Sequence, residues 1–255
     1  EKQVAKNGYE LALIYQDDEL TYHQLDEKAN KLARTLRQRG VGPNSIVGIM
    51  ADRSFEMFIG IWAIIKAGGA YMPMAPDSPG ERTRFMLEDS GAELLLIQSR
   101  LLDILPGEIG VEILEIGDGA YHADGSALAL INQPEDLLYV IYTSGTTGKP
   151  KGTLISHSNL LSLVKDDDNF KLDETDRMIQ LVNYIFDGSV FDIFATLLNG
   201  ASLVLIDKET LVDLENLSWI IKEKGITQFL ITTALLNAFL EANGERCAAS
   251  LANVK

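Results

Sequence analysis

The chain has 255 residues, 46% apolar and 23% charged, the balance of a globular protein able to bury a large core. Its formal net charge of −15 argues against binding a nucleic-acid backbone, and no apolar run approaches the roughly 20 residues that span a bilayer. A lone cysteine, Cys247, excludes an internal disulfide and fits a reducing compartment, three scattered histidines supply no metal cluster, and the first ten residues lack a signal peptide's profile, so a cytoplasmic protein is expected.

Residues 9–22 read as two short strands around the turn signal Gln16, Asp17, Asp18. A helix follows: Thr21 and Gln24 have capping-box spacing, Leu25, Ala29, Leu32, Ala33 and Leu36 recur at helical intervals, and Gly40 offers a left-handed stop. A strand is predicted over 46–51, a nearly all-apolar helix over 55–67 ending at Gly68 and Gly69, and another helix from Ser78 and Pro79 to about residue 89. Strands are predicted over 92–98 and 111–116, then a Gly-, Asp- and Ser-rich connection to residue 134. Beyond it come a strand from 137 to 143, a glycine-rich loop, a helix from about 156, a strand near 178, a helix over 190–198 and a strand over 202–206. A helix over 214–224, a strand over 227–231 and a helix over 234–241 complete the order.

Strands alternating with helices imply an α/β fold of layered, mainly parallel sheets flanked by helices, with ligands gathering at the strands' C-terminal ends. A first α/β segment over 1–136 and a second over 137–255 are expected, and since residues 250–255 carry no closing element, the chain is expected to be a piece of something longer.

The most informative segment is Tyr142, Thr143, Ser144, Gly145, Thr146, Thr147, Gly148, Lys149, Pro150, Lys151, Gly152, directly after an apolar strand. Gly145, Gly148 and Gly152 would let the backbone approach an anion, Thr143, Ser144, Thr146 and Thr147 add hydroxyl donors, and Lys149 and Lys151 add positive charge. Only two residues separate Gly145 from Gly148, which excludes a Walker loop and with it a phosphate-loop kinase or GTPase. A plain surface loop is the other reading of a Gly and Thr cluster.

The eleven-residue string resembles the signature loop with which the adenylate-forming superfamily embraces the ATP phosphates. Leu20 to Leu25, Ile65 to Pro73, and Phe186, Asp187, Gly188, Ser189 are similar to the first, second and fourth core motifs of the peptide-synthetase branch, in the same order. The resemblance covers the whole chain and implies the N-terminal part of the large core of an adenylation domain of a nonribosomal peptide synthetase, with the C-terminal remainder absent. One departure is Ala75, where that branch often carries Asp.

Asp187 precedes Gly188 and Ser189 in an otherwise apolar setting, and two readings stand together: a helix N-cap, and an anion awaiting a cation. The resemblance matches Asp187 to the acidic residue that pairs with the substrate's α-amino group, and Gly188, Phe191 and Leu230 to positions lining the side-chain pocket, which implies a hydrophobic amino acid. Ordinary core packing is the other reading of Phe191 and Leu230. His157 reads as a cap or surface residue, and the run Asp166, Asp167, Asp168 as a solvated turn.

The implied reaction is attack of the amino acid carboxylate on the α-phosphorus of ATP, giving an aminoacyl adenylate and pyrophosphate, then transfer to the phosphopantetheine thiol of a carrier protein. Thr143 and Lys151 would be catalytic, Thr143, Ser144, Gly145, Thr146, Thr147, Gly148 and Lys151 would hold the phosphates with Mg²⁺, and peptidyl carrier and condensation domains would be partners. The later motifs that the resemblance implies, including the acidic residue for Mg²⁺, the ribose-binding aspartate and the C-terminal catalytic lysine, have no counterpart before Lys255, so this chain alone is expected to be inactive. The alternatives are an acyl-CoA or aryl acid ligase of the same superfamily, for which Asp187 is an unwelcome charge, and a nucleotide-binding fragment without turnover.

Overall fold

The computed structural model describes residues 1–144, 149–165, 171–244 and 246–255. Its strands, in chain order, are β1 (Leu11–Tyr15), β2 (Asp18–Thr21), β3 (Ile46–Met50), β4 (Ala70–Met74), β5 (Leu94–Gln98), β6 (Glu112–Ile116), β7 (Leu137–Ser144), β8 (Pro150–Ser156), β9 (Arg177–Ile179) and β10 (Ser202–Leu205). Contacts divide the chain into two compact units, His23–Asp166 and Glu1–Tyr22 with Asp167–Lys255.

The contiguous unit carries a six-stranded sheet in the order β6-β5-β3-β4-β7-β8. Every pair in it is parallel except the β7–β8 hairpin. A parallel sheet covered on its faces needs near-continuous apolar strands, and β4 and β5 are buried throughout. Met50, Met72, Met74, Leu87, Leu95 and Val140 form the centre of one core cluster.

Its helices begin and end where local chemistry dictates. Tyr22–Gln38 buries Leu25, Ala29, Leu32, Ala33 and Leu36, the predicted stripe, and Gly40 follows at φ 88°. Phe55–Ala67 starts at Ser54, whose hydroxyl accepts the Met57 N–H, and stops at Gly68. Gly68 is required twice over: its φ is 109°, and a Cβ there would stand 2.8 Å from Ile131 Cδ1. Lys66, at that helix's end, pairs with Asp26 at 2.8 Å, both side chains being mostly buried. Lys66→Met leaves Asp26 with the Asn30 amide as its hydrogen-bond donor and is expected to lower the unfolding free energy by about 2–3 kcal/mol, read as a lower urea midpoint at unchanged slope.

The other unit joins the two ends of the sequence in a four-stranded sheet, β2-β1-β10-β9, in which β1 runs parallel to β10 with Leu13 opposite Leu203. Gln3 Nε2 donates to the Leu198 carbonyl at 2.9 Å, 195 positions along the chain, and the buried Tyr22 hydroxyl donates to the Ala201 carbonyl at 2.7 Å. Its core holds Ile14, Ile179, Val204, Leu217, Ile221 and Phe239. Asp176, fully buried, accepts from Thr227 and pairs with Lys255 at 2.7 Å.

Three expectations change. No strand occupies 227–231; a single parallel bridge joins Met178 to Gln228, and the helix Thr233–Asn243 follows. Strands β4 and β8 are additional: β4 hides behind Gly68, Gly69 and Pro73, which read as turn signals, and β8 begins inside the glycine-rich string. Pro73, lacking an N–H, is accommodated because the pairing of β4 with β7 is registered at Tyr71 and Tyr139, before Pro73 is reached. The units also divide after Tyr22 and Asp166 and not at 136/137, because β7 pairs with β4 while β10 pairs with β1.

Candidate functional site

The described part of the glycine-rich string supplies the end of β7 and the start of β8. Gly145, Thr146, Thr147 and Gly148 lie outside the described residues, as does the run Asp166 to Asp168. On the arms, Thr143 stands directly opposite Lys151, and Ser144 opposite Pro150. Directly opposed residues share a face of the sheet, so the two candidate catalytic side chains, both exposed, emerge together on one side. A hydroxyl and an ammonium so placed can together oppose negative charge on a phosphoryl oxygen.

Tyr142 and Gly152, also directly opposed, belong to the other, buried face. A Cβ on Gly152 would stand 3.0 Å from Tyr142 Cζ and 3.1 Å from Val140 Cγ1, so glycine lets the ring lie close against β8 without crowding. The Tyr142 hydroxyl donates to Asp89 Oδ2 at 2.7 Å, and Lys149 Nζ lies 5.8 Å from the centre of the Phe85 ring. Burial, reinforced by Asp89, raises the Tyr142 phenol far above its ordinary pKa, which keeps the hydroxyl a donor. Sequence reasoning missed Phe85 and Asp89, which carry no motif; their four-residue spacing on the helix Gly80–Ser90 was the available signal.

In the other unit, Asp187 is the N-cap of a helical stretch running from Gly188 to Asn199, and its Oδ1 accepts the Gly188 N–H at 2.8 Å. The apolar, low-dielectric setting expected for Asp187 is not found: its carboxylate is exposed and the neighbouring Phe186 is 57% exposed. The helix centre, Phe191–Ala195, is wound as a π-helix, a distortion often found at functional sites. Gly188 and Leu230 are brought together, since a Cβ at Gly188 would lie 3.3 Å from Leu230 Cδ2 and 3.4 Å from Val182 Cγ1. Phe191, half-buried, follows Gly188 by three residues.

Val182 was not foreseen, although it lies just beyond the end of β9, where α/β sheets place ligands. Its N–H faces Asp192 Oδ2 at 3.4 Å, and Asp192 is fully buried. Burial lowers the His157 pKa, and its Nε2 lies 3.2 Å from the Asn132 amide, which gives this side chain a packing role. Among the described residues no group of three His, Cys, Asp or Glu side chains could hold a metal ion, and no helix is long and apolar enough to cross a membrane.

Comparison with known proteins places these features in a family context. The AMP-binding enzyme family matches residues 1–254. The chain is 46% identical over 246 residues to Bacitracin synthase 3 of Bacillus licheniformis, covering 95% of this chain and 4% of that protein. It is 42% identical over 245 residues to Gramicidin S synthase 2 of Brevibacillus brevis, covering 96% and 6%. It therefore spans a small fraction of the length of these relatives. A crystal structure of the nonribosomal peptide synthetase FmoA3 bound to alpha-methyl-L-serine-AMP superposes with a TM-score of 0.91 at 30% identity, over 99% of this chain and 28% of that one. The N-terminal subdomain of Klebsiella oxytoca NpsA, in complex with 3-hydroxybenzoyl-AMSN, gives 0.86 at 26% identity, over 96% and 61%.

Proposed function

This chain belongs to the AMP-binding enzyme family, and from that premise we propose that it is the N-terminal core part of an amino acid adenylation domain of a nonribosomal peptide synthetase. The observation that carries this reading is the sustained likeness to peptide synthases along 95% of the chain, with Asp187 standing at the start of the helix its motif implies. The remainder of that domain, and peptidyl carrier and condensation domains, would be its partners. The lone cysteine supports work in the cytoplasm.

In the proposed reaction a carboxylate oxygen of the amino acid attacks the α-phosphorus of ATP. The bond from that phosphorus to the oxygen bridging to the β-phosphate breaks, and pyrophosphate leaves with the electron pair. Thr143, Ser144 and Lys151, with the loop's amides, oppose the charge on the phosphoryl oxygens, and Asp187 holds the ammonium. Mg²⁺ would arrive on the ATP phosphates, the usual mode for an ion that keeps several waters and needs few protein ligands. A phosphopantetheine thiol on a partner carrier domain would then take the acyl group as a thioester, the bond from the acyl carbon to the phosphate oxygen breaking, AMP leaving with the electron pair and the thiol proton being released.

Val182, Gly188, Phe191 and Leu230 are apolar, which supports a hydrophobic amino acid. Selectivity within that class is modest, because one methylene in an apolar pocket is worth about 1–3 kcal/mol. The reading is tested by amino-acid-dependent ATP/pyrophosphate exchange across all proteinogenic amino acids, using the chain together with its C-terminal continuation. Valine, leucine or isoleucine is expected to lead. Exchange led by a charged amino acid would refute the pocket assignment.

The NpsA likeness favours one competitor, an enzyme for aryl or acyl acids. Exchange driven by carboxylic acids lacking an amine, and by no amino acid, would decide for it.

A further inference from the structure

Phe85 and Asp89 lie four residues apart on one face of the helix Gly80–Ser90; Asp89 engages β7, and Phe85 engages the residue that leads into β8. Asp89 accepts the hydroxyl of Tyr142, the residue before Thr143, while Phe85 lies beneath the ammonium of Lys149, two residues before Lys151. Both contacts thus fall next to the side chains that would face phosphate. Asp89 is exposed, and Phe85 is half-buried against the edge of the core cluster that holds Tyr142. Tyr142, in contrast, is buried, its ring lying against Gly152 and its hydroxyl reaching Asp89.

We propose that Phe85 and Asp89 are positioning residues for nucleotide binding, holding the two arms of the hairpin so that Thr143 and Lys151 meet the ATP phosphates without either helix residue touching ATP. The proposal rests on the adenylation reading for the identity of the anion. Its physical basis is that transition-state contacts are intolerant of small displacements, and a shift of about 1 Å in a positioned group can cost as much as 10²-fold in rate.

The test is the affinity for the Mg²⁺ complex of β,γ-imido-ATP, measured by calorimetry in the intact chain, beside exchange kinetics and thermal melting. Tyr142→Phe and Asp89→Ala are each expected to raise Kd by about 3- to 10-fold, the range of one lost hydrogen bond. The double variant should be no worse than the weaker single, because the two share one bond. Asp89→Asn should stay near wild type, since its amide oxygen accepts the same hydroxyl, and Phe85→Leu should raise Kd by about 2- to 5-fold. The KM for the amino acid should not move. Unchanged nucleotide affinity in Asp89→Ala and Tyr142→Phe, additive losses in the double variant, or equal rises in both KM values with a depressed melting point would each overturn the proposal. A wild-type chain that binds the analogue but, with its continuation, supports no exchange would refute adenylation alone, and the Kd series would still decide the positioning role. Failure of the wild type to bind the analogue would overturn both.

Discussion

Asp187→Ala is expected to lower kcat/KM for the amino acid in ATP/pyrophosphate exchange by about 100-fold, while the melting temperature falls only slightly. The expectation follows from the two roles the carboxylate can hold. As a cap it accepts one hydrogen bond, from Gly188 N–H at 2.8 Å, and such caps contribute about 1 kcal/mol to stability. As the partner of a substrate ammonium it makes a charge-assisted bond worth about 1.5–3 kcal/mol, more once the bound substrate excludes water from an aspartate now exposed. Asp187→Asn separates the two, because asparagine caps as well as aspartate but carries no charge. It should melt like wild type and exchange almost as poorly as the alanine variant. Full exchange by Asp187→Asn would leave the residue only its capping role.

Lys151→Ala is expected to lower kcat for exchange by about 10²- to 10³-fold, the usual loss when one preorganised donor to a developing oxyanion is removed. Lys151 is exposed on β8, so its removal should not disturb folding. Lys151→Arg should recover only part of the rate, since a planar guanidinium does not place its donors where a compact ammonium does. If the loss lies in kcat with the affinity for β,γ-imido-ATP held within a few-fold, the charge acts on the transition state; an equal loss in both would mark ground-state binding. Exchange within about threefold of wild type would remove Lys151 from the mechanism.

Much of the fold is legible because its signals are local. Gly40 and Gly68 announce helix ends within a few residues of themselves, and the stripe from Leu25 to Leu36 predicts its own burial. What escaped depends on partners distant in sequence. β8 becomes a strand because β7 offers it a ladder, although its own Pro150, Lys151, Gly152 read as loop. Residues 227–231 have strand composition but form only the Met178 to Gln228 bridge. In the candidate site the motif residues were legible, and the string predicted the opposition of Thr143 and Lys151 no better than a loop would have. The Asp89 to Tyr142 bond, spanning 53 positions, and the exposure of Asp187 were beyond periodicity to find.

The pairing of β1 with β10 orders events during synthesis. Residues 23–166 are contiguous and can begin to fold as they emerge, but β1 waits for its parallel partner, and Gln3 meets Leu198 only 195 positions later. At roughly 5–20 residues per second the ribosome leaves the first strands without their neighbour for about 10–40 s. Through that interval the apolar edge of Leu11–Tyr15 is open to other chains, so this strand is protected later than residues 23–166, which are made after it, and is exposed to misassembly in the meantime.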